Sequence, residues 1–121
     1  WKEGSTISPH IHWMPMTSPA TSKNVVWKFE YQWQNINGTY SGITTATLTV
    51  TAATGTTGYK HLISDFSDIN GSGKTMSSIM ICRLYRLPTD AADDYTDAVG
   101  LLSFDIHIEK DTLGSNLEYT K

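Results

Sequence analysis

The segment His10-Ile11-His12 is the best placed in this chain for metal chemistry. Alternate residues of an extended strand share a face, so two imidazoles one residue apart lie side by side and can chelate. Two ligands do not close a site. Three copies of the pair around a threefold axis would bring six nitrogens together, enough for an octahedral transition ion. A second completion lies within the chain. Asp105, His107 and Glu109 share one face of a C-terminal strand. If the first and last strands pair, a carboxylate there can hold the ring of His10 or His12. The plainer alternative is a hydrogen-bonded surface or interfacial histidine pair.

Other groupings carry less. Asp90, Asp93, Asp94 and Asp97 crowd one segment, and oxygen ligands at that density can bind calcium. The spacing is not that of an EF-hand, and a solvated acidic loop is the simpler reading. Gly71-Ser72-Gly73-Lys74-Thr75 looks like the end of a phosphate loop, but the earlier glycine position holds Asp68. The following residues also read as strand, where a phosphate loop needs a helix N-terminus. No nucleophile elbow or Ser-His-Asp order stands out, and Asp65 with Asp68 has no readable carboxyl separation. Cys82 lies in an apolar run and reads as a buried thiol. No catalytic residue is assigned, and no enzymatic activity is expected.

Recognition is the remaining chemistry. Tyr40, Tyr59 and Tyr95 fall near turns, where exposed rings can stack on sugars. With Asp93 and Asp94 they form the candidate receptor-binding set, acidic groups completing the hydrogen bonds. Asn37-Gly38-Thr39 and Asn70-Gly71-Ser72 match glycan-acceptor sequons but read more simply as Asn-Gly turns.

Strands must position all of these. From Asn24 to Gln34, Val25, Trp27, Phe29, Tyr31 and Trp33 alternate with Val26, Lys28, Glu30, Gln32 and Gln34. A period of two marks a half-buried strand. Asn35-Ile36-Asn37-Gly38 ends it with a hairpin signal. The return, Thr39 to Ala52, alternates Ala46, Leu48, Val50 and Ala52 with a threonine row that should face water or a neighbouring subunit. Further strands are expected over Thr6 to Trp13, Tyr59 to Phe66, Met76 to Arg86 and Val99 to Glu109. Leu62, Ile63 and Phe66 are expected in the core. Met76 to Arg86 is apolar on both faces, which suggests cover on both sides. Six strands with Gly, Asn and Asp turns and no amphipathic helix indicate an all-β, antiparallel sandwich of jelly-roll type.

Composition agrees. The 121 residues suit one domain, and 17 Thr with 12 Ser favour sheet. A net charge of -3 offers no basic field for nucleic acid, and no apolar run is long enough for membrane insertion. One cysteine excludes an intrachain disulfide framework. Charged residues are only 17%, which suggests a surface partly hidden by subunit packing. The opening at Trp1, without a charged-then-apolar leader, reads as a fragment of a longer chain.

Ile7-Ser8-Pro9-His10-Ile11-His12-Trp13, Trp27-Lys28-Phe29-Glu30-Tyr31, Arg83-Leu84-Tyr85-Arg86, Asp105-Ile106-His107-Ile108 and Gly114-Ser115 occur in this order. Together they resemble small β-domains at the ends of bacteriophage virion proteins: tail fibres, tail spikes, tail-needle knobs and head fibres. The resemblance implies a homotrimeric, jelly-roll-like knob on a longer fibrous chain, located on the virion. Such knobs trimerise the fibre and often bind a host-surface glycan or protein. Some phage fibre tips also bind iron through repeated His-x-His pairs on the threefold axis, and His10 and His12 match one such pair. The expectation is a virion appendage domain with loop receptor residues. The alternatives are a purely structural trimerisation or capsid-attachment module and a carbohydrate-binding module of a bacterial enzyme.

Overall fold

A computed structural model describes residues 1–113. It contains six strands: β1 (Ile7–Pro15), β2 (Lys23–Gln34), β3 (Thr44–Ala52), β4 (Leu62–Asp65), β5 (Ile79–Arg86) and β6 (Val99–Ile108). Among the described residues there is no helix, so none that could cross a membrane. The strands form two antiparallel sheets, β4-β1-β6 and β3-β2-β5, packed face to face as a β-sandwich. Gly114-Ser115 lies outside the described residues.

The period of two places the core. Ile11 and Trp13 of β1 meet Val25, Trp27 and Phe29 of β2, with Val50 and Ala52 of β3, and all are buried. Phe29 sits at the centre, its ring 4.9 Å from Phe104, 5.5 Å from Tyr31 and 5.7 Å from Phe66. Such tilted and stacked aromatic pairs add about 0.5–1.5 kcal/mol each beyond the area they bury. The threonine row of β3 is exposed, as the alternation requires.

Three local expectations are corrected. β3 begins at Thr44, so residues 35–43 form a longer loop than a tight hairpin, with Asn37 and Gly42 at positive φ. β5 is covered on one face only. Met80 and Leu84 pair with Trp33 and Phe29 toward the interior, while Ile79 and Ile81 stand on the outer face at 61% and 55% exposure. Ile63 is exposed because it pairs with His12 on the outer face of its sheet, whereas Leu62 and Phe66 do pack inward.

One flank of the sandwich is open. Ile106 and Ile108 of β6 pair with the buried Pro9 and Ile7, so they point between the sheets. Both are nonetheless exposed, at 36% and 45%. Opposite them, Met80 of β5 lines the same 280 Å³ depression with Trp1 and Trp33. Cys82 pairs with the inward Tyr31 yet is exposed, which corrects the expectation of a buried thiol. No strand of the described chain closes the space between β5 and β6.

Candidate functional site

The outer face of the β4-β1-β6 sheet gathers all four histidines of the chain. β1 buries Ile7, Pro9, Ile11 and Trp13, so Ser8, His10 and His12 must point outward. β6 pairs antiparallel with β1, which sets Asp105 opposite His10 and Ser103 opposite His12. The first-to-last strand pairing on which the carboxylate reading depended is therefore present.

The contacts are close. His10 Nε2 lies 3.1 Å from His12 Nε2. Asp105 Oδ2 lies 3.0 Å from His12 Nε2 and 3.5 Å from His10 Nε2. Asp105 Oδ1 accepts a 2.8 Å hydrogen bond from the Ser103 hydroxyl. That bond, followed by the nearby imidazoles, holds the Asp105 carboxyl below its ordinary value. His12 Nδ1 lies 2.6 Å from His61 Nε2, just before β4. His107 meets His10 edge-on at 4.6 Å between ring centroids. Glu109 is not part of this cluster; it pairs with Lys2 at 2.8 Å.

Sequence reasoning missed His61. It lies outside the alternating part of its strand, so only the antiparallel register of β4 against β1 brings it to His12. His10, His12 and Asp105 form the one metal-competent grouping among the described residues, their ligand atoms lying within 4.8 Å of one another.

The receptor set does not converge. Tyr95 is 3% exposed and its hydroxyl bonds Thr17, donating to the backbone oxygen at 3.0 Å, so the ring is a core element. Asp93 has a side chain 1% exposed. It takes 2.6 and 2.9 Å hydrogen bonds from Arg86 and one of 2.9 Å from the Val26 N–H. Asp94 is exposed and accepts from the Asn24 N–H at 2.5 Å. These corrections share one cause. β5 leaves β2 at Trp27, and the acidic loop 87–98 then runs beside the free edge of β2. The two carboxylates accept N–H groups that a strand would otherwise pair. Burial pushes Asp93 up, but Arg86 and the Val26 N–H outweigh it and hold the carboxyl below its ordinary value. Asp94 is lowered mainly by the Asn24 N–H.

Tyr40 and Tyr59 are exposed, at 39% and 66%. They occupy opposite ends of the sandwich. The Tyr40 hydroxyl donates to Ile79 O at the start of β5, whereas the Tyr59 N–H donates to Pro15 O at the end of β1. One chain cannot bring both rings to a single ligand.

The segment 71–75 is a turn followed by β5, and Lys74 Nζ donates to Trp33 O at 2.6 Å. Its ammonium is thereby bound to the fold, and no helix follows to cradle phosphate.

No family model, curated protein or solved structure matches the chain. The chemistry rests on its own residues.

Proposed function

We propose that the chain is a non-enzymatic assembly and attachment domain of a phage virion appendage, working as a homotrimer. The observation that carries the assembly part is the open flank between β5 and β6. Side chains of interior parity, Ile106, Ile108 and Cys82, are left exposed there. Covering half of an isoleucine side chain is worth about 1 kcal/mol, so a neighbouring copy laid on this flank gains from each such residue. The same contact would shelter two strand edges from unwanted pairing. The virion setting and the copy number of three come from the sequence resemblance.

Attachment is assigned to the end of the sandwich that carries Tyr59. The exposed Tyr59 ring there offers a stacking surface for a sugar. Three rigidly held copies raise avidity without any new contact.

Light scattering on the chain tests the assembly. A mass three times the 13.4 kDa of one chain is expected, collapsing to one chain in Ile106→Asp. A monomer at tens of micromolar would sink the reading. Competition with phage adsorption tests attachment. Loss in Tyr59→Ala with mass unchanged supports it, and silence of the parent trimer leaves a purely structural module.

A further inference from the structure

We propose that each chain binds one divalent first-row transition ion through His10 Nε2, His12 Nε2 and Asp105 Oδ2, with His61 orienting the His12 ring. All the donors come from one chain, so the site does not depend on assembly.

The separations fit an ion. Donors at about 2.0–2.1 Å from a metal lie about 3.3 Å apart in a tetrahedron and about 2.9 Å apart at octahedral cis positions. The three donor pairs here measure 3.0, 3.1 and 3.5 Å. Protons satisfy this triangle poorly. With one Nε2–H, a single proton has to serve the nitrogen–nitrogen edge or the carboxylate. With two, both donors face each other at 3.1 Å. A cation at the centre satisfies all three lone pairs together.

Neighbouring groups are arranged as a metal site requires. Ser103 holds Asp105 Oδ1, which leaves Oδ2 directed at the imidazoles. His61 Nε2 faces His12 Nδ1, so the Nδ1 proton has an acceptor and Nε2 is left free to ligate. The side chains of His10 and His12 are 10% and 20% exposed and that of Asp105 is 46% exposed, so one side stays open to an entering ion and to water. Two imidazoles and one carboxylate suit zinc, iron, cobalt or nickel and not calcium or magnesium, which prefer all-oxygen shells.

The site joins β1 to β6. Residues 10 and 105 are direct cross-strand partners, so an ion there pins the register of the two strands. The register shift falls between His12 and Trp13, directly after the second imidazole, where the ladder is locally disrupted.

The test is calorimetric titration of the full, untagged and chelator-stripped chain with Zn²⁺. One ion per chain at micromolar affinity or tighter is expected. Asp105→Asn and His12→Ala should each weaken binding at least tenfold. His61→Ala should weaken it roughly 10-fold through lost orientation, and Glu109→Gln, outside the cluster, should leave it nearly unchanged. Affinity weaker than millimolar overturns the proposal. So does one ion per three chains with Asp105→Asn behaving as the parent, which would place the histidines on a shared axis instead. Circular dichroism controls for folding of the variants. Where a variant misfolds, X-ray absorption of the zinc-loaded parent decides. Two imidazoles in the shell support the site, and a shell without imidazole refutes it.

Discussion

Replacing Asp93 separates a structural carboxylate from a recognition residue. Its side chain is 1% exposed and accepts hydrogen bonds from Arg86 Nε, an Arg86 terminal nitrogen and the Val26 N–H. In Asp93→Ala the Arg86 guanidinium, 16% exposed, loses its counter-charge, and Val26 loses an acceptor. Removing one partner of a buried ion pair costs about 3–5 kcal/mol. Arg86 keeps the backbone oxygens of Tyr95 and Asp97 as acceptors, which puts the cost near the lower end, about 3 kcal/mol. For a domain of this size that lowers Tm by roughly 12 °C. Urea unfolding followed by tryptophan fluorescence reads it, at one fixed protein concentration because assembly would add stability. The joint change Arg86→Met with Asp93→Leu should recover most of the loss, since it removes both charges. An Asp93→Ala chain within about 0.5 kcal/mol of the parent would refute this account, that being the range of an ordinary surface substitution.

Acid should unfold the chain through the same loop. Asp93 and Asp94 both titrate below their ordinary values when folded, so their stabilisation is complete above about pH 4 and is lost as pH falls through the lower folded values. Urea midpoints measured between about pH 2 and 5 should therefore drop, and drop less in Asp93→Ala. Tyr95→Phe removes the hydroxyl that Thr17 uses and should cost about 1–2 kcal/mol in the same assay, with adsorption competition unchanged. Cys82 should react quickly with a thiol reagent in a monomeric Ile106→Asp chain and at least tenfold more slowly in the parent assembly; equal rates would place the assembly contact elsewhere.

The strands were legible because a half-buried strand writes its burial into every second residue. Val25, Trp27 and Phe29 announce an inward face whatever lies across from them. Pairing is a different kind of information. His10 and His12 could be assigned to one face from spacing, but the carboxylate that meets them followed only from β1 lying against β6. His61 needed a second pairing, to β4, and its own neighbours carry no alternation. The acidic loop misled for a related reason. A run of aspartates and a tyrosine near a turn reads as surface, because sequence does not reveal which backbone N–H groups another strand has left without acceptors. Asn24 and Val26 are those groups, and Asp94 and Asp93 are spent on them. β5 failed in the opposite direction. Apolar residues on both faces look like a buried strand, yet Ile79 and Ile81 have no cover within the described chain.

β6 joins the two proposals physically. Successive side chains of this strand point to opposite sides of the sheet, so Asp105 faces the histidines while Ile106 faces the open flank. Anything that fixes Asp105 against β1 also fixes where Ile106 and Ile108 stand. An edge strand is paired on one side only, and fraying there would scatter the apolar row that the proposed neighbouring copy would meet. Rigidity at a contact is worth as much as area, because side chains already ordered lose less entropy on association. An ion bridging residues 10, 12 and 105 would supply that rigidity from the far face of the same strand, without occupying the proposed contact surface. The arrangement therefore needs no metal on a symmetry axis to connect metal binding with assembly; the alternation of a single strand is enough.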